Sequence, residues 1–201
     1  MRVFGMQRIK GILMGGALGV LMLSAGSFAG AAEHASAAAG PIVAGTWEHH
    51  SASFSYYGIT ALYSCDGLEN NIRALLLHFG ARKDATVSAR GCPRGASVPS
   101  NVAIVDIDFY SLSPSPGANG ENNVQARWTP VTVSPIHPYF MANGDCELME
   151  DLKDVLSKNF SLRDLSYRTN CVPHQINIDG FGVKAEALKA LPAAAASAAR
   201  K

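Results

Sequence analysis

The 201-residue chain has no long basic run, no apolar stretch long enough to cross a bilayer, and none of the short motifs that mark the common catalytic sites. Each absence removes a class of function. Lys and Arg number 17 against 16 Asp and Glu, and three of the basic residues, Arg2, Arg8 and Lys10, lie in the first 31 positions. The remainder carries 14 − 16 = −2, which offers no electrostatic footprint for nucleic acid and no polybasic patch for a membrane surface. No C-x-x-C occurs, so the spacing that activates thiols in disulfide oxidoreductases is missing. Structural zinc draws on close-spaced ligand pairs, whereas the cysteines of this chain stand alone. H-E-x-x-H, the calcium loop D-x-[DN]-x-[DN]-G, the G-x-S-x-G elbow, the phosphate-binding loop and the dinucleotide fingerprint are also absent. No cofactor is expected.

Residues 1–31 have the pattern of a secretory signal peptide, with basic residues before the apolar run Gly11 to Leu23 and small residues at Ala29-Gly30-Ala31. That run is about 13 residues, whereas a spanning helix needs roughly 20. The first cysteine is Cys65, far from the cleavage region, which argues against a lipid anchor. A periplasmic or secreted protein is expected, with no membrane association after cleavage. Residues 32–45, rich in Ala, Ser and Gly, read as a flexible lead-in.

The dominant feature is an internal repeat. Trp47 precedes Cys65 by 18 positions and Trp128 precedes Cys146 by 18; the following cysteines, Cys92 and Cys171, come 27 and 25 positions later. Each cysteine pair brackets an amphipathic helix and a strand. The first helix has the apolar stripe Leu68, Ile72, Leu75, Leu76 and Phe79. Asp66 and Glu69 are spaced as a capping box and Gly80 suits its end. The second has Leu148, Leu152, Val155, Leu156 and Phe160, with Asp145 as its expected cap. Strands are predicted at His50 to Tyr56, Thr86 to Cys92, Val102 to Leu112, Val124 to Val133, Leu162 to Cys171 and Gln175 to Leu188, with Pro130 suggesting an edge or bend. In the last, Gly180 and Gly182 suggest a bulge or a close approach. The fold expected is α+β: two βαββ-like repeats, 46–112 and 124–188, joined by a loop at 113–123. They should form an antiparallel or mixed sheet with both helices on one face, ferredoxin-like in plan, followed by an Ala-rich tail at 189–201.

In such a unit the helix starts at the sheet edge where the next parallel strand finishes. That geometry predicts disulfides Cys65–Cys92 and Cys146–Cys171, in keeping with an oxidising compartment.

Candidates for chemistry are few. His49, His50, His137 and His174 suggest a metal set, but adjacent strand residues point to opposite faces, so His49 and His50 do not share one ion. Asp106 and Asp108 share a strand face as acid–base partners would, although a solvated face with Arg127 across a hairpin is the plainer expectation. Asp145, Glu147, Glu150 and Asp151 suit a helix N-terminus better than calcium. Arg90 and Arg168 precede their closing cysteines and would bind an anion if they faced a shared edge; otherwise they are surface residues.

The strings Tyr63-Ser64-Cys65-Asp66-Gly67-Leu68, Gly80-Ala81-Arg82, Cys146-Glu147-Leu148 and Cys171-Val172-Pro173-His174-Gln175 resemble a family of uncharacterised exported proteobacterial proteins. The resemblance covers most of the mature chain and implies export and one shared fold, with no assigned activity. The function expected is therefore non-enzymatic, a binding or envelope-associated protein whose partner is an unknown protein or small ligand. The alternative is a periplasmic hydrolase or metal-dependent enzyme using Asp106, Asp108 and histidines.

Overall fold

A computed structural model describes residues 40–95, 99–115, 123–175 and 180–192. The expected signal segment, most of the lead-in, the centre of the 113–123 loop and the end of the Ala-rich tail lie outside the described residues. Six strands and two helices follow in the order β1 (Ile42–Tyr57), α1 (Cys65–Phe79), β2 (Thr86–Arg90), β3 (Val102–Pro114), β4 (Asn123–Val133), α2 (Cys146–Asn159), β5 (Leu162–Thr169) and β6 (Phe181–Ala190).

The local patterns explain the elements. In β1, Ala52, Phe54 and Tyr56 turn inward while Ser51, Ser53 and Ser55 stay exposed, the period-two signature of a half-buried strand. The strand starts at Ile42, inside the segment read as a flexible lead-in, because 42–46 find hydrogen-bonding partners in 123–127 that local composition does not reveal. The five stripe residues of α1 are all buried. Ser64 caps its start by accepting a hydrogen bond from the Gly67 amide, and Gly80 ends it in the left-handed region at φ 101°.

The expected Asp66–Glu69 capping box does not form. Asp66 already lies inside the first turn and accepts from the Gly95 amide and Arg94, while Glu69 accepts from the Ala89 amide. Asp145 does sit at the N-cap of α2, but its side chain makes no capping bond.

All six strands form one open sheet in the order β2-β3-β1-β4-β6-β5, with every neighbouring pair antiparallel. Since β3 is antiparallel to both β1 and β2, the strands flanking α1 run parallel with β3 between them. By the same argument β4 and β5 run parallel with β6 between them. Only five residue pairs join β1 to β4, Ile42–Arg127 through Thr46–Asn123. Pro130 lies beyond that ladder, where the β1 side of β4 is unpaired and a missing N–H costs nothing.

Both helices bury their stripes in one core with Val105, Ile107 and Phe109 of β3, Val131 and Val133 of β4, and Phe181 and Val183 of β6. Phe160, just past α2, stacks on Phe109 at 5.2 Å and meets Phe79 at 5.9 Å, tying the two helices to the central strands. Disulfides join Cys65 to Cys92 and Cys146 to Cys171, with Cα separations of 5.3 and 5.5 Å. Each links the first residue of a helix to the chain just past the next strand. No described helix is long and apolar enough to cross a membrane.

Among the described residues, no helix packs on the other face of the sheet. A small apolar seam of Leu112, Ala126, Trp128 and Leu188, joined by Val43, Trp47 and Val124, runs down its middle. Arg163 covers Trp128 with its guanidinium 3.8 Å from the ring centre, and Arg82 covers Tyr110 beside the seam at 3.6 Å. The seam separates two polar grooves.

Candidate functional site

The first groove is built by register. Across β1, β3 and β2, Ser51, Asp108 and Thr86 form one rung, and Ser53, Asp106 and Ser88 form the next. Residues directly opposite in adjacent strands point to the same face, so each rung is a carboxylate flanked by two hydroxyls. They line a depression of about 480 Å³, a size suited to a small ligand.

Polar contacts hold the lining in place. Ser53 Oγ donates to Asp106 Oδ1 at 2.8 Å, Arg90 Nη1 donates to Asp106 Oδ2, and His49 Nε2 lies 2.8 Å from Asp108 Oδ2. Both carboxylates keep much of their surface in solvent, 44% for Asp106 and 57% for Asp108. Along β1 the same face presents His49, Ser51, Ser53, Ser55 and the exposed Tyr57.

The structure thus brings Asp106 and Asp108 together with His49 and separates the other histidines. His50 faces the core, where its Nε2 lies 3.0 Å from Ser111 Oγ and burial pushes its pKa down. His137 lies in the turn after β4 and His174 beyond β5. Among the described residues, no three or more His, Cys, Asp or Glu side chains are grouped to hold a metal ion. The expected Arg127 partner for the aspartates is replaced by Arg90, because β3 pairs with β1 and β2 while Arg127 on β4 pairs with Ile42 and Lys189. Arg90 and Arg168 do not share an edge: they lie on β2 and β5, the two outermost strands.

A second constellation sits at the start of α2. Asp145 is 1% exposed; its Oδ1 accepts from the Tyr63 hydroxyl and its Oδ2 from the Ala142 amide. Burial, opposed by those two bonds, raises its pKa. Glu147 Oε1 accepts from the Thr60 amide, and burial lifts Asp151 to about 6. Tyr63, one residue before the cap of α1, carries this link, and sequence reading missed it because the two residues are 82 positions apart. This cluster is internal, tying one half of the chain to the other.

Compared with known protein families, curated proteins and solved structures, the chain matches none.

Proposed function

We propose that the protein is exported to the periplasm or beyond, is made of two copies of one βαββ unit in a ferredoxin-like plan, and binds a neutral polyhydroxylated ligand, the chemistry of a sugar. Two disulfides support export, since they persist in oxidising compartments. Equal Trp-to-Cys spacings and matching strand orders in the two halves support duplication.

One observation carries the binding reading: two hydroxyl–carboxylate–hydroxyl rungs lie on a sheet face that no described helix covers, with Tyr57 exposed near their end. Carboxylates accept hydrogen bonds from sugar hydroxyls, serine and threonine both donate and accept, and an exposed ring gives an apolar sugar face something to lie on. The test is saturation-transfer NMR with neutral mono- and oligosaccharides. Transfer to sugar protons is expected, and Asp108→Ala should weaken binding about tenfold or more, the usual scale for a hydrogen bond to a charged group. No transfer from any sugar, or transfer unaltered by Asp108→Ala, would refute it.

A hydrolase is the second reading, favoured by the His49–Asp108 contact beside Ser51. Against it, both aspartates occupy alike, solvent-open positions, whereas acid–base pairs depend on environments that drive their roles apart. Cleaved products in the same NMR samples would favour it.

A further inference from the structure

The other half of the open face holds a groove of opposite character, about 460 Å³, between β4, β6 and β5. Thr132, Lys184 and Ser166 form one rung, in register across the three strands. Arg168 lies opposite Gly182 on the next rung, with Ser134 continuing β4 beside them.

We propose that this groove is an oxyanion site, taking the phosphate or carboxylate group of a small ligand on Arg168 and Lys184. The inference goes beyond the sugar-binding reading and does not rest on it.

Three observations carry it. First, the side chains of Arg168 and Lys184 have no hydrogen-bonding or ion-pair partner among the described residues, although those of Arg82, Arg90 and Arg94 all do. Second, the Arg168 guanidinium lies over Gly182 of the neighbouring strand: a Cβ there would meet Arg168 Nη2 at 3.6 Å and Nε at 3.9 Å, ordinary contact distances, so the side chain already reaches across β6 toward the groove. Third, the charges are flanked by hydroxyls of Thr132, Ser134 and Ser166, which donate to the oxygens a guanidinium fork leaves unfilled. The carboxylate on the following rung, Glu186, stands opposite Arg163.

Arginine suits planar, two-point recognition of either anion, and lysine adds a compact charge. Phosphate and carboxylate therefore share the site's chemistry.

The test is calorimetric titration of the full-length protein with inorganic phosphate and separately with citrate, at low and constant ionic strength, with chloride as control. Saturable binding of either anion is expected, and the stronger one identifies the ligand's group. Arg168→Gln and Lys184→Gln should each weaken it at least about tenfold, the scale of one charge-assisted hydrogen bond. Both positions are exposed, so the fold should survive, checked by an unchanged melting temperature. Asp108→Ala should leave anion binding intact, which separates this site from the sugar-binding groove. No saturable binding of either anion, or binding equally strong in both glutamine variants, would overturn the proposal.

Discussion

The two halves of the sheet use one plan for different chemistry. In β2-β3-β1 the middle strand puts Asp106 and Asp108 between flanking hydroxyls; in β4-β6-β5 the middle strand puts Lys184 in the same surroundings. Backbone register sets which side chains share a rung, and the charged residues it gathers, Asp106 and Asp108 in one groove and Lys184 with Arg168 in the other, set the sign. The helix starts differ in the same instructive way. Ser64 caps α1 locally, whereas Asp145 at the start of α2 spends its carboxylate on Tyr63 and the Ala142 amide. One residue completes a helix; its counterpart ties two halves together.

The largest effect should come from the disulfides. They close loops with separations of 27 and 25 residues, so the chain-entropy account values each at about 3.5 kcal/mol. Replacing either pair with alanine should lower urea-unfolding stability by that amount and almost equally. A large inequality would show that the halves are not built alike.

Next is the asymmetry of the helix starts. Tyr63→Phe leaves a buried carboxylate oxygen without its donor and should cost about 2 kcal/mol. Ser64→Ala removes an ordinary cap and should cost about 1 kcal/mol. Equal costs, measured by denaturant titration, would mean that the Tyr63–Asp145 link adds nothing beyond local capping.

The smallest concerns Asp151, five positions after Cys146, where α1 has Asn70 five positions after Cys65. Burial raises the folded carboxyl from an ordinary 3.8 to about 6. The folded chain holds this proton more tightly than the unfolded one, so the group costs nothing below pH 3.8. The cost grows as pH rises to about 6 and stays constant above it. Discounted for its partial exposure, it should reach about 1 kcal/mol. Asp151→Asn should therefore stabilise the protein at pH 7 by about that amount and leave it unchanged at pH 3.5. A benefit independent of pH would remove ionisation from the explanation.

Sequence periodicity discloses which face a residue occupies, but not which strand lies beside it. The stripes Leu68 to Phe79 and Leu148 to Leu156, the alternation in β3, and the opposed directions of His49 and His50 are all local, and so were readable. Placing Asp106 and Asp108 on one face was equally local. Naming their partner was not: Arg127 comes from the next strand in sequence, yet β3 and β4 do not pair. The same limit hid both grooves. Thr86, Asp108 and Ser51 become a rung only once β3 enters between β1 and β2, and Arg168 meets Lys184 only through the β5–β6 register. The start of β1 was obscured because Ala44 and Gly45 have weak strand propensity, and pairing with β4 overrides it.

The claim that one sheet face carries two grooves of opposite character is tested most directly by mapping backbone amide shifts in a single isotope-labelled sample, first with a bound neutral sugar and then with phosphate. The account predicts two separate footprints, the sugar moving amides around Ser51, Ser53, Asp106 and Asp108, and phosphate moving those around Ser166, Arg168, Gly182 and Lys184. Footprints that coincide, or that fall on the helices, would contradict it.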